Sequence, residues 1–120
     1  MTIRIGEYKF EGPYWDTRDI YAWSSGVYVI LGKDGDTPWE VLDIADCKYL
    51  REFIETNNRR YRWPRFGHSE LAVAVLYMPQ GIREKITKEL RAIYDPACEE
   101  LLNKTWGDHL VKSTGMRNWK

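Results

Sequence analysis

The clearest hydrophobic pattern in the chain is a pair of apolar runs separated by a turn. Residues 27–31 are rich in β-branched and aromatic side chains, which favours a β-strand. The Asp34-Gly35 pair supplies the positive φ that a tight turn requires, and residues 38–44 then return as a second strand. Strict alternation along this second strand predicts two faces, one with Trp39, Val41 and Asp43 and the other with Glu40, Leu42 and Ile44.

Two later segments have the apolar spacing of amphipathic helices. Residues 48–56 carry Leu50, Phe53 and Ile54 at helical spacing, and Asp46 is a candidate N-cap. The second helix extends from about residue 82 to Asp95-Pro96, which ends it. Its apolar residues recur every three or four positions: Ile82, Ile86, Leu90 and Ile93.

A third strand is predicted at residues 70–78, which are apolar on both faces and therefore belong inside a sheet. The first 25 residues show weaker alternation, so one or two short edge strands fit there, followed by a helical turn that directs Ile20 and Trp23 inward. The pattern predicts one α/β (α+β) domain with a small three-stranded antiparallel sheet flanked by helices. Its parts are an N-terminal extension packed on the domain (1–25), a core (26–98) and a C-terminal helix and tail (99–120).

Composition supports a folded domain but leaves its partners open. The chain has 120 residues, 43% hydrophobic and 30% charged, which is typical of one globular domain. Lys+Arg and Asp+Glu are 18 each, so net charge argues neither for nor against nucleic acid. The two cysteines have no spacing typical of a zinc site or a disulfide framework. No leader-like or membrane-spanning apolar stretch is present, so we expect a cytoplasmic, soluble protein without a membrane partner.

Short motifs along the chain resemble one known family. Gly26-Val27-Tyr28 looks like the GIY element of the GIY-YIG nuclease superfamily, and Asp43-Ile44-Ala45 falls where its YIG element would be. Residues 46–50 resemble the stretch that leads into the first helix, and residues 90–96 resemble the last helix with its tyrosine and proline stop. The resemblance covers roughly residues 26–98 and implies a small antiparallel sheet of three strands with helices packed around it.

The resemblance also implies a chemistry, which we carry over residue by residue. In the family a tyrosine activates the nucleophile, an arginine on the first helix steadies the phosphate, and a glutamate on the last helix holds a divalent metal. Here Tyr28 keeps the first tyrosine, and Asp43 replaces the second. The arginine position falls on Phe53 and the glutamate position on Thr87, although Glu84 lies one turn earlier on the same side.

Two interpretations follow from this comparison, beside that of a purely structural or regulatory module whose aromatic surface meets a protein. The first is a catalytically impaired member of the superfamily that binds nucleic acid or a protein partner, with no cofactor firmly implied. The second is an active DNA endonuclease that uses Tyr28, Asp43 and Glu84 with Mg²⁺ or Mn²⁺. Each residue also has a purely structural interpretation: Tyr28 fills the core, Asp43 is the polar end of an edge strand, and Glu84 lies on a solvated helix face.

An arginine-rich segment, residues 59–66, is the other candidate for function. It interleaves four arginines with three aromatic residues: Arg59, Arg60, Arg62 and Arg65 with Tyr61, Trp63 and Phe66. Arginine pairs with phosphate in a forked geometry and aromatic rings stack on bases, so we assign DNA or RNA binding to the four arginines and Trp63. Alternatively, Trp63 and Phe66 anchor a surface loop whose arginines pair with Glu52, Glu55 and Glu70.

Overall fold

Five antiparallel strands form the centre of the protein in a computed structural model, which describes residues 1–56 and 63–96. The strands are β1 (Thr2–Ile5), β2 (Tyr8–Tyr14), β3 (Gly26–Lys33), β4 (Glu40–Cys47) and β5 (Glu70–Tyr77). Their order across the sheet is β1-β2-β5-β3-β4. The prediction of three strands was therefore wrong, whereas the α+β class and the interior position of β5 are confirmed.

The two additional strands come from the N-terminal residues. β1 and β2 form a hairpin, and β2 pairs with the edge of β5 that β3 leaves open. The register of β2 against β5 shifts between Glu11 and Tyr14, across Gly12-Pro13. Proline has no N–H to donate to a ladder and is tolerated at such an irregularity. Gly12-Pro13 is thus an irregular point inside β2 and does not end the strand.

A bulge in β4 changes which side chains share a face. Ile30 lies opposite Asp43 and Leu31 opposite Val41, so Leu42 is an extra residue in β4. Leu42 and Asp43 consequently both face one side of the sheet, while Ile44 packs on the other. The strict alternation predicted for this strand therefore fails at Leu42, because a bulge places two residues against one.

The two predicted helices are present and cover opposite faces of the sheet. α1 (Leu50–Thr56) lies over one face, here called the α1 face, through its buried Leu50 and Ile54. α2 (Gln80–Tyr94) covers the other, the α2 face, through Ile86 and Leu90. α1 begins later than predicted because Asp46 belongs to β4, where its carboxylate pairs with Arg83 at 3.1 Å and does not cap the helix.

Several apolar residues that were predicted to face inward are exposed. In α1 only Leu50 and Ile54, one turn apart, are buried in the core, whereas Phe53 is 43% exposed. In α2 the outer positions Ile82 and Ile93 are exposed. Before β3, a short 3₁₀ turn (Thr17–Asp19) directs Ile20 into the core, but Trp23 is 68% exposed. Apolar spacing alone therefore does not decide which of these residues are buried.

No helix in the described ranges is long and apolar enough to cross a membrane. The predicted C-terminal helix and tail, residues 99–120, lie outside the described residues.

Candidate functional site

Tyr28 and Asp43 lie on the same face of the sheet, and both are fully buried. Tyr28 is paired with Ala45 and Asp43 with Ile30, so the two side chains are diagonal neighbours on adjacent strands. The Tyr28 ring lies beneath α1, with its centroid 6.3 Å from that of Phe53. The structure therefore brings these two predicted residues near each other, but under the α1 layer.

Trp63 is a hydrogen-bond partner of the Asp43 carboxylate. Its indole Nε1 donates to Asp43 Oδ2 at 2.9 Å, and the side chain is only 7% exposed. Trp63 begins the short 3₁₀ turn Trp63–Phe66, which leads into β5. A buried carboxylate is costly unless it is hydrogen-bonded, and the indole N–H has the same requirement. The pair thus ties the segment before β5 to β4.

Glu84 and Thr87 lie on the opposite side of the sheet, on α2. Glu84 is exposed, and its Oε2 accepts a hydrogen bond from Gln80 Nε2 at 3.3 Å. Thr87 is buried, and its hydroxyl has no hydrogen-bond partner among the described residues. The sheet separates both residues from Tyr28 and Asp43. The structure therefore does not assemble Tyr28, Asp43 and Glu84 into one site.

A divalent metal does not fit the residues to which the resemblance assigns it. Asp43 accepts a hydrogen bond from an indole, and Glu84 faces solvent across the sheet. Within residues 1–56 and 63–96, no group of three or more His, Cys, Asp or Glu side chains is arranged to hold a metal ion.

Arg51, the arginine closest in sequence to the Phe53 position, donates to the carbonyl oxygens of Ile20 (2.8 Å) and Arg18 (3.0 Å). It braces the N-terminal turn.

The arginine-rich segment is described only at its flanks. Arg59, Arg60 and Arg62 lie outside the described residues, and Arg65 lies in the turn Trp63–Phe66. Trp63, which we assigned to base stacking, is buried against the core, so its role here is that of an anchor. The described residues that flank positions 57–62 are Thr56 and Trp63, and both belong to elements on the α1 face.

Exposed aromatic rings beside α1 form a feature that the sequence pattern missed. Trp23, Tyr49 and Phe53 are 68%, 40% and 43% exposed, and Trp23 meets Tyr49 edge to face with centroids 5.3 Å apart. Between Tyr49 and Phe53 lies a cavity of about 350 Å³, here called the aromatic groove. It is lined by Cys47, Lys48, Tyr49, Glu52, Phe53 and Thr56. The sequence offered no signal for this, because Phe53 and Ile54 both fit the apolar stripe of a helix that contains Leu50.

A polar cluster centred on His68 lies at the turn of the β3–β4 hairpin. Its Nδ1 lies 3.1 Å from Asp34 Oδ2 and its Nε2 lies 2.9 Å from Glu40 Oε1. The Ser69 backbone N–H and His68 hold the pKa of Asp34 below its usual value. This cluster fastens the hairpin turn to the residues before β5, which is a structural role.

Cys47, at the wall of the aromatic groove, is expected to be protonated and poorly reactive near neutral pH. Burial raises its pKa to about 11, and nearby Arg83 offsets this only in part. In the unfolded chain the thiol returns to an ordinary pKa of 9.0. As pH rises, the Cys47 thiol therefore loses its proton in the unfolded chain at a lower pH than in the folded protein. The contribution of Cys47 to stability consequently falls between pH 9.0 and about 11.

Alkylation by iodoacetamide in a Cys98→Ser background measures this pKa directly. We expect the native rate to rise with a midpoint about two pH units above that of the same variant in denaturant, because only the thiolate reacts. A native midpoint equal to the denatured one would show that burial does not control this thiol.

Comparison of the chain with models of known protein families, with curated proteins and with solved structures finds no match. The resemblance to the GIY-YIG superfamily accordingly stays a prediction from the sequence motifs.

Proposed function

We propose that the protein is a non-catalytic, nucleic-acid-binding domain with a GIY-YIG-like core, and that it holds its ligand on the α1 face. The hydrogen bond from Trp63 to Asp43 carries this proposal. This bond gives Asp43, the acidic member of the candidate catalytic pair Tyr28 and Asp43, a structural role in the core. It also fixes one end of the arginine-rich segment at Trp63.

The position of the candidate catalytic residues supports the absence of cleavage. Hydrolysis of a phosphodiester requires a general base within reach of water and positive charge against one phosphate. Tyr28 has no exposed surface, so its phenol does not meet solvent. Glu84 lies across the sheet from it, on α2. The order of hairpin β3–β4, α1, β5 and α2 supports the GIY-YIG-like core of the proposal, to which β1 and β2 add two strands.

Local positive charge supports nucleic acid as the ligand. Four arginines fall within residues 59–65 of a chain whose net charge is 0, so this charge is concentrated in one place. The segment follows α1 directly and ends in the anchored turn at Trp63. Guanidinium groups pair with phosphate oxygens through two parallel hydrogen bonds, which suits a DNA or RNA backbone.

Binding of a fluorescently labelled oligonucleotide, followed by anisotropy over a range of salt concentrations, tests the proposal. We expect replacement of Arg59, Arg60 and Arg62 by glutamine to weaken binding about tenfold or more near physiological salt. It should also reduce the slope of log affinity against log salt by about two to three units, since each phosphate contact releases a counterion. Replacement of the exposed Lys9, Lys85 and Lys88 removes the same charge elsewhere and should have a much smaller effect.

Two results would contradict the proposal. Equal weakening by both triple variants would mean that bulk charge alone attracts the oligonucleotide. Cutting of plasmid DNA with Mg²⁺ or Mn²⁺ that disappears in both Tyr28→Phe and Glu84→Ala would establish an active endonuclease instead.

A further inference from the structure

Trp23 has an unusual backbone conformation for a large, exposed residue. Its φ is +59°, in the left-handed region that side chains other than glycine rarely adopt. Its backbone N–H is held by the Glu52 carboxylate, at 3.1 and 3.2 Å from the two oxygens. The fold therefore maintains a strained residue and yet leaves its indole in water. Strain of this kind is concentrated at functional sites, where the surrounding structure maintains it.

The rings beside Trp23 extend this exposed surface along α1. Tyr49 meets the Trp23 indole edge to face, and Phe53 lies one helical turn further on, above the buried Tyr28 ring. Together the exposed parts of the three rings amount to roughly 300 Å², within the range of patches that are often functional on a monomer. Phe53 lies on α1, whereas Trp23 lies in the turn before β3 and Tyr49 in the bend before α1.

The aromatic groove between Tyr49 and Phe53 has the size and lining for one planar ring system. Its volume of about 350 Å³ is at the lower end of the range for small-ligand sites. Its walls are mainly the two rings and the Cys47 side chain, whose raised pKa keeps it uncharged near neutral pH. Such a groove accepts the flat face of an aromatic ligand and offers few fixed hydrogen bonds.

The charges of the groove lining balance each other, because Lys48 and Glu52 both belong to it. Lys48 lies over the Tyr49 ring, with its Nζ 5.3 Å from the centroid, and Glu52 accepts the Trp23 N–H. The positive charge that favours an anionic ligand is that of the arginine-rich segment, which begins three residues after Thr56 of the lining. A ligand that combines planar rings with negative charge therefore suits the groove and the sequence that follows it.

We infer that the aromatic groove is a stacking site for unpaired bases, and that the protein binds single-stranded nucleic acid in preference to duplex. The inference rests on the proposed function and adds the class of ligand. Bases in a duplex are paired and stacked on one another, so their faces cannot enter the groove. Unpaired bases can stack on Trp23, Tyr49 and Phe53 with little dependence on sequence, since every base has a π-face.

Two ring variants and one control separate stacking from folding. Trp23→Gly removes the indole and suits the positive φ, so the variant should stay folded. Phe53→Leu keeps an apolar side chain but removes the aromatic face. Trp15→Ala removes another exposed tryptophan, 58% exposed at the end of β2, and serves as the control.

Anisotropy with labelled oligothymidylate and with a hairpin duplex of equal length provides the test. We expect the single strand to bind more tightly than the duplex, and Trp23→Gly and Phe53→Leu each to weaken single-strand binding by about fivefold to a hundredfold. Trp15→Ala should leave it unchanged. Oligothymidylate should also slow alkylation of Cys47 in the Cys98→Ser background, because that thiol lines the groove.

The outcomes that overturn the inference are distinct from those that overturn the proposed function. Equal affinity for duplex and single strand, lost on replacing the arginines but unaffected by the ring variants, removes the stacking site and leaves the proposed function intact. The absence of salt-dependent binding to either probe removes both. Self-association that Trp23→Gly abolishes, without nucleic-acid binding, would assign the patch to a second copy of the chain.

Discussion

Replacement of Gly26 by alanine is expected to destabilise the protein by about 3 kcal/mol or more. A Cβ at Gly26 would lie 2.2 Å from the carbonyl oxygen of Leu76 and 3.0 Å from Leu50 Cδ1. The first of these atoms belongs to the backbone of β5, which is held between β2 and β3. That oxygen cannot move aside without breaking the ladder on one of its two sides, so the clash has no inexpensive relief.

Gly81→Ala is the matched control for this substitution. Gly81 lies in the first turn of α2, and a Cβ there would meet nothing within 4 Å. Since alanine is the better helix former, this variant should be neutral or up to about 1 kcal/mol more stable. Urea unfolding of the two variants and the wild type gives the comparison, with equal m-values as the check on two-state behaviour. A loss below about 1 kcal/mol for Gly26→Ala would show that the sheet can open at this point.

Breaking the Asp43–Trp63 pair is expected to have the next largest effect. Asp43→Ala leaves the buried indole N–H without its acceptor, and we expect a loss of about 2–4 kcal/mol. Trp63→Phe keeps a ring in the core but removes one hydrogen-bond donor from a fully buried carboxylate, at a cost of about 3–5 kcal/mol. The double variant should cost less than the sum of the two, because the hydrogen bond between the two residues can be lost only once.

A double-mutant cycle measured by urea unfolding isolates this interaction from the other contacts of the two residues. We expect a coupling of about 1.5–3 kcal/mol, the range for hydrogen bonds to a charged group. Asp43→Asn retains an oxygen acceptor and should lie between the wild type and Asp43→Ala. Asp36→Ala, an exposed carboxylate in the hairpin turn, should change stability by less than about 0.5 kcal/mol. A coupling near zero would mean that Asp43 is held by its other contacts and that Trp63 is not its anchor.

These two predictions concern residues that the sequence motifs singled out, and the structure gives each one a physical reason. Gly26 opens the motif that resembles the GIY element, and close approach of β5 requires glycine there. Asp43 falls where the resemblance would place a second tyrosine, and in the structure it accepts a hydrogen bond from an indole in the core. In both cases the residue is accounted for by packing and hydrogen bonding.

The exposed aromatic residues show the limit of periodicity in a short helix. Leu50, Phe53 and Ile54 all fit helical spacing, but only Leu50 and Ile54 reach the sheet. Which of two adjacent apolar residues is buried depends on the rotation of α1 about its axis, and packing on β3 and β4 sets that rotation. The outward direction of Trp23 likewise depends on contacts with residues far away in sequence, such as Tyr49, so its sequence neighbours could not reveal it.

By itself the sequence determined the local elements: the β3–β4 hairpin, the interior strand β5 and the two helices. Their signals are the Asp34-Gly35 turn and the apolar spacing, which act between residues close together in the chain. Only the tertiary structure decided the pairing of β2 with β5, the bulge at Leu42, the placement of Asp43 and Glu84 on opposite faces, and the exposure of Trp23. Each of these depends on contacts between residues far apart in sequence, whose geometry is set by the assembled sheet.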